Sequence, residues 1–354
     1  MLYLVRSYST LQTAFARRQT AADINQQLAT AQNELSTGIK NDIFKSLGTG
    51  AAESITLRAS IDRDTAQVAA NGLLTQRLDT MAATLGTIRN SVQEALDLAI
   101  ANKTAPLGTA SGMQQAARAA LDTLVAQANS SHAGMPLFAG ISASGETLQP
   151  WEKTNAGSGL APAGVLASIL SGGLPDEAAA QAAIAELNAV FSDTAADGPS
   201  NFEQTFYNGA PTGSARQTAS TGEGTELAYG VQANDPGFRE VLKGLAMLAS
   251  VDVTTIADPD AYAAWVGTAV NALSAGNAKL LDAETQVGAK AGRIEAESTR
   301  MKDRIDLYKN RVLNLEGIDD YEAATRITLL ETQLQASYAV TARMSQLSFL
   351  NYLR

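Results

Sequence analysis

The stretch from Val287 to Leu315, VGAKAGRIEAESTRMKDRIDLYKNRVLNL, decides the fold. Its seam residues fall at alternating spacings of three and four: Val287, Ala291, Ile294, Ser298, Met301, Ile305, Tyr308, Val312 and Leu315. Sustained spacing of this kind marks a helix whose seam lies along another helix. At about 1.5 Å per residue it predicts a rod of roughly 40 Å. Behind Gly317 the pattern restarts, with Asp319 or Asp320 able to cap a new helix. That helix carries two apolar faces. With each residue turning by about 100°, Ile327, Leu330, Leu334, Tyr338 and Tyr352 share one side. Leu329, Ala336, Val340 and Leu347 lie near the other. A helix apolar on both sides needs cover on both. One partner is expected from this chain and the other from a different chain.

Outward from this stretch, the N-terminal part reads the same way. Residues 11–35 lack Gly and Pro, and Ala14, Ala21, Ile24, Leu28, Ala31 and Leu35 share one face. Gly38 ends that helix, where a left-handed residue is cheap. The polar, glycine-punctuated residues 34–48 read as a loop or bent connector. A long helix over about 51–101 carries the seam Leu74, Leu78, Met81, Leu85, Ile88, Val92, Ala95, Ala99. Pro106 and Gly108 break it, and a further helix over about 111–129 points Ala117, Leu121, Leu124 and Ala128 inward. From His132 to about Ser250 the chain turns rich in Gly, Ala, Thr and Ser. Here a helix is expected at 176–191, strands near 202–207 and 227–232, and a helix behind Pro236. Pro259 starts the return helix. Gly267, Gly276, Gly288 and Gly292 each cost up to about 1 kcal/mol against alanine and predict a bend or break there.

The predicted fold is mainly α: long N- and C-terminal helices forming an antiparallel bundle or coiled-coil rod, with a small mixed α/β head inserted. Terminal helices take 1–40 and 318–354, a helical rod domain 41–131 and 251–317, and the head 132–250. The two long seams can face each other inside one chain. The terminal helix, with two faces to bury, is where a second chain is expected. The expected assembly interface is Ala14, Ala21, Ile24, Leu28 and Leu35 with Ile327, Leu330, Leu334, Tyr338, Val340, Leu347, Phe349 and Leu350.

Composition narrows the function. The 354 residues carry a net charge of −10, against the basic surface that nucleic acid demands. Aromatics are only 5%, and much of the apolar content is alanine, which suits slender helix pairs. The absence of cysteine excludes disulfides, thiolate metal sites and cysteine nucleophiles. No apolar run reaches the length of about eighteen residues that a membrane helix needs, and no cleavable secretory signal opens the chain. His132, the sole histidine, reads as a surface-loop residue rather than a pH sensor or metal ligand. Asp252, Asp258 and Asp260 lack the spacing of a calcium loop and read as caps. Gly157-Ser-Gly and Gly222-Glu-Gly-Thr are too short for phosphate loops, and Trp151 and Trp265 read as packing residues. No serine sits in a nucleophile elbow, and no catalytic constellation, cofactor site or metal site is expected.

Six motifs in order carry a resemblance. They are Glu34-Leu-Ser-Thr-Gly; Ser54-Ile-Thr-Leu-Arg with Asn71-Gly-Leu-Leu-Thr-Gln-Arg-Leu; Pro136-Leu-Phe-Ala-Gly; Tyr207-Asn-Gly; Gln286-Val-Gly-Ala-Lys with Arg293-Ile-Glu; and Gln333-Leu-Gln-Ala-Ser-Tyr. Together they resemble the flagellin superfamily, and within it most nearly the hook–filament junction members, the hook-associated protein 3 class. The opening Met-Leu-Tyr-Leu-Val-Arg departs from the usual start of that class. The resemblance implies a structural subunit of the extracellular bacterial flagellum, not an enzyme. It implies secretion through the flagellar export channel, with an export chaperone and the export apparatus as transient partners. It further implies termini forming an inner coiled-coil layer against copies of itself, the hook-side hook-associated protein and flagellin, with the head outward. Flagellin itself is the near alternative, and would polymerise alone. An exported effector on a helical scaffold lacks its catalytic cluster, and a coiled-coil signalling protein lacks its membrane segment.

Overall fold

A computed structural model describes the backbone of residues 10–142, 145–192, 201–222 and 224–352; the side chains at 10, 11, 13, 14, 201, 225 and 344–352 lie outside the description. In chain order the elements are α1 (Thr10–Thr37), α2 (Ile43–Leu47), α3 (Gly50–Ala101), α4 (Met113–Ala128), β1 (Ser131–His132), β2 (Met135–Pro136), α5 (Pro162–Ile169), α6 (Glu177–Val190) and α7 (Asn201–Thr205). There follow β3 (Thr218–Gly222), β4 (Thr225–Ala228), α8 (Pro236–Ser250), α9 (Pro259–Glu316) and α10 (Asp320–Tyr352). The fold is mainly α, and among the described residues its sheets are two antiparallel strand pairs. Two compact units make it up: residues 1–66 with 301–354, and residues 67–300.

The larger unit holds the core. Leu78, Met81, Leu85, Ile88 and Val92 of the α3 seam are all fully buried. They share one cluster with Ala117, Leu121 and Leu124 of α4, with Phe238, Val241 and Leu245 of α8, and with Val266, Leu273, Val287 and Ile294 of α9. Trp265 is fully buried, its indole N–H donating to the Met247 carbonyl at 3.3 Å. Helix starts follow local chemistry. Pro236 and Pro259 are first residues of their helices, Asp176 caps α6 through the Ala179 N–H at 2.8 Å, and Asp258 accepts from the Ala261 N–H at 2.7 Å.

The glycines of α9 do not break it: the helix is continuous from Pro259 to Glu316. Two glycines instead set a close approach. A Cβ on Gly276 would stand 2.6 Å from the Val241 backbone N, and one on Gly244 2.9 Å from the Ala269 carbonyl oxygen. Packing of α8 against α9 offsets the helix-propensity cost, because only hydrogen fits between them.

The expected strand at 202–207 is also corrected. Phe202 and Phe206 lie one helical turn apart, and both rings pack tilted against Phe191 with centroids 6.1 and 4.7 Å away, so the segment folds as the short helix α7. The expected strand at 227–232 begins earlier, as β4, because Gly224 at φ +70° closes a tight hairpin with β3. The connector at 34–48 contains the short helix α2, capped by Asp42 at the Lys45 N–H. His132 is half-buried in β1 rather than in a loop, its Nδ1 3.3 Å from Thr80 Oγ1.

Two motifs separated by seventy residues meet in this unit. Leu137, Phe138 and Ala139 are fully buried, and the Phe138 ring lies 5.4 Å from that of Phe238. The Ala139 carbonyl accepts from the Ala210 N–H at 2.9 Å, just beyond Tyr207-Asn-Gly209. Gly140, at φ +65°, leaves no room for a Cβ beside Gln232 and Ala210, and Gly209 leaves none beside the buried Tyr207 ring. Burial, then the nearby carboxylates of Asp235 and Glu203, push the Tyr207 phenol well above its usual range.

Candidate assembly surface

The smaller unit contains α1, α10 and the adjoining ends of α3 and α9. Gly38, at φ +71°, ends α1 by donating to the Glu34 carbonyl at 2.8 Å. Beyond it, Ile39 and Gly317 form an antiparallel bridge, with Ile318 N–H donating to the Gly38 carbonyl at 3.1 Å. Lys40 covers the C-terminus of α9: its backbone N–H donates to Glu316 O at 2.9 Å and its Nζ to Leu315 O at 3.0 Å. Asp319 caps α10 through the Tyr321 and Glu322 N–H groups.

From this junction α1 and α10 pack antiparallel, with the Asn25 amide donating to Tyr338 Oη at 3.4 Å further along. Ala31 on α1, and Ala323 and Leu330 on α10, are buried. Ala21, Ile24, Leu28, Ile327 and Leu334 are half-buried beside them. Leu35 is at the margin, 38% exposed. Tyr338 keeps 54% of its surface, and Val340, on the far side, keeps 50%. Leu329 and Ala336 lie exposed on that far side too. So one apolar face of α10 is covered within the chain, and the opposite face is bare. On α1, Phe15 is 68% exposed. The side chains of Ala14, Leu347, Phe349 and Leu350 lie outside the described residues.

Sequence reasoning missed what holds the helices in register here. Glu316 closes α9 with its side chain only 1% exposed. Arg58 forks onto it, Nε donating to Oε1 at 3.0 Å and Nη2 to Oε2, while Ser54 Oγ donates to Oε1 as well. The Arg58 hydrogen bond holds the Glu316 carboxyl below its usual value. Desolvation acts against this, and the Ser54 bond adds to it. A second fork joins Arg304 to the buried Asp64, at 2.7 and 2.9 Å, and Arg311 meets Glu53 at 2.9 Å. Ser54 and Arg58 stood inside a quoted motif, but nothing in the spacing linked either to Glu316, which is 258 positions from Arg58. The one readable signal was a lone carboxylate at the end of an apolar seam.

Among the described residues, no group of three or more His, Cys, Asp or Glu side chains is placed to hold a metal ion, and no helix is long and apolar enough to cross a membrane. Asp252 caps a turn through Thr254 N–H at 3.0 Å.

Long helices whose terminal pair leaves an apolar face bare define a helical structural subunit. The comparisons say of which kind. The bacterial flagellin N-terminal helical region matches residues 8–143, and the bacterial flagellin C-terminal helical region matches residues 264–353. No curated protein matches the chain. Among solved structures, a Vibrio parahaemolyticus protein assigned to the flagellar hook-associated proteins superposes with a TM-score of 0.50 at 12% identity, over 77% of this chain and 99% of that one. The chain belongs to the flagellin superfamily, with both helical regions of the family present. It is a structural subunit of the flagellum, and flagellin-type proteins are exported parts of that extracellular organelle.

Proposed function

We propose that this chain is the junction subunit that joins hook to filament, binding its neighbours through its terminal helices. The observation that carries the reading is the hydrogen bond by which the Ala139 carbonyl, in Pro136–Gly140, accepts from the Ala210 N–H next to Tyr207–Gly209, which brings together two motifs that resemble those of junction proteins. In this reading residues 1–40 and 318–354 form the inner coiled-coil layer, 41–131 and 251–317 the rod, and 132–250 the outer head. Ala14, Ala21, Ile24, Leu28, Leu35, Ile327, Leu330, Leu334, Tyr338, Val340, Leu347, Phe349 and Leu350 form the interface with copies of this chain, the hook-side hook-associated protein and flagellin. An export chaperone and the export apparatus handle the chain first. The second reading, filament flagellin, draws on the matched helical regions being those of flagellin itself.

Electron microscopy of the purified protein separates the two. A junction subunit adds a short segment to isolated hooks, accepts flagellin on top, and forms no long filament alone. Long filaments from the pure protein overturn the junction reading in favour of flagellin. Removal of residues 347–354 is expected to abolish swimming and leave secreted protein free in the medium, because Leu347, Phe349, Leu350, Tyr352 and Leu353 are a dense apolar group with one charge. Normal swimming by the truncated strain rejects the C-terminal tip as an assembly element.

A further inference from the structure

The larger unit carries a cleft that the assembly helices do not use. It has a volume of about 530 Å³ and lies where the residues flanking the β3–β4 hairpin, Arg216 and Gly230, face the start of α8 and the middle of α9. Arg216, Lys279 and Lys290 bring three cations to it, against the two carboxylates Asp235 and Asp282. Asp235 is already engaged: Arg216 forks onto it, and its Oδ2 also accepts from the Gln232 N–H at 2.9 Å. Lys290 is half-buried and has no hydrogen bond or ion pair among the described residues. Burial, and then the like charge of Arg216, lower its pKa, so its ammonium is held where it is least favoured. Lys279 stands about three helical turns away on nearly the same face of α9, exposed and likewise without an ion pair among the described residues. A chain with 36 acidic and 26 basic residues nonetheless leaves cations uncompensated in one cleft.

We propose that this cleft receives a carboxylate side chain from a neighbouring copy, with Lys290 as the receiving charge and Lys279 and Arg216 at its rim. Charge complementarity selects the occupant. Each copy carries a net −10, so subunits placed side by side repel unless acidic groups of one meet unpaired cations of the next. The carboxylate supplies the counter-charge that Lys290 lacks. The inference rests on assembly of copies and not on the junction position, so it is tested in whichever polymer the protein forms, on hooks or alone.

Amine acylation of the wild-type protein, read by peptide mass spectrometry, is the first measurement. Lys290 is expected to react in the isolated protein and to become protected at least tenfold in the polymer. Lys290→Met is the second. It keeps the length of the stem and removes the charge, so the isolated protein is expected to melt at or above the wild-type temperature. Its polymerisation is expected to fall severalfold at low salt and to recover as added salt screens the repulsion between copies. Lys279→Met is expected to give the same loss in weaker form. Equal reactivity of Lys290 in isolated and polymerised protein overturns the proposal. So does Lys290→Met polymer that forms with wild-type yield and wild-type salt dependence. Filaments formed without hooks reject the junction reading and leave the cleft test intact.

Discussion

Leu85→Asp is expected to lower the melting temperature by something on the order of 10 °C, while Leu329→Asp leaves it unchanged and abolishes incorporation into the polymer. Leu85 is fully buried in the α3 seam, within the cluster shared with α4, α8 and α9. The substitution removes a packed side chain and strands a carboxylate without a partner, at a cost of about 4 kcal/mol or more. In a unit of this size each kcal/mol moves the melting temperature by about 2–4 °C. Leu329 is 55% exposed on the bare face of α10, so a carboxylate there stays in water and costs the isolated chain almost nothing. In a polymer where that face is covered, the same carboxylate is desolvated and packing fails. Leu334→Asp tests the covered face. It is expected to block incorporation with a smaller thermal shift than Leu85→Asp, since Leu334 is only half-buried. Differential scanning calorimetry and hook-seeded assembly measure both quantities. Loss of thermal stability in Leu329→Asp to the level of Leu85→Asp makes that face ordinary core and removes it as an assembly surface.

Arg58→Ala is expected to destabilise the smaller unit by about 2–3 kcal/mol at pH 7. The figure sits below the range for a fully buried pair because Arg58 keeps 49% of its side-chain surface and water replaces part of its charge. The sign with pH follows from Glu316. In the wild type its pKa is held below the ordinary value of 4.5, so the contribution is present above that value and lost as pH falls through the folded one. Without Arg58, desolvation dominates and the folded pKa rises above the unfolded one. The penalty is then largest at neutral pH and relieved on acidification. The gap between wild type and Arg58→Ala is therefore expected to shrink between pH 7 and pH 3.5, and Glu316→Gln is expected to flatten the acid limb of the wild-type curve. Urea unfolding followed by circular dichroism at the two pH values reads this. A gap that stays constant with pH removes Glu316 as the reason.

Periodicity alone determined the helices. A hydrophobic seam is a local property of a chain, and three-four spacing survives whatever the helix packs against, so α1, α3, α4, α9 and α10 fall close to where their seams and caps place them. The two faces of α10 were legible for the same reason, and with them the expectation that only one is covered by the chain itself. The flagellin resemblance was legible because its motifs sit in these helices and at two tight turns.

The rest depended on pairs of residues far apart in sequence. Gly276 looked like a helix breaker until α8 and α9 met, where its missing Cβ and that of Gly244 permit the approach. Phe202 and Phe206 suggested a strand by composition, and Phe191 selected the helix by packing a tilted ring against both. Glu316, Ser54 and Arg58 carried no shared local pattern, because an ion pair needs only proximity. The antiparallel register of α3 and α9, which no single segment encodes, supplied it. Lys290 read as one more charge on a solvated helix. Only the tertiary structure placed Arg216 near it and left both its burial and its charge uncompensated.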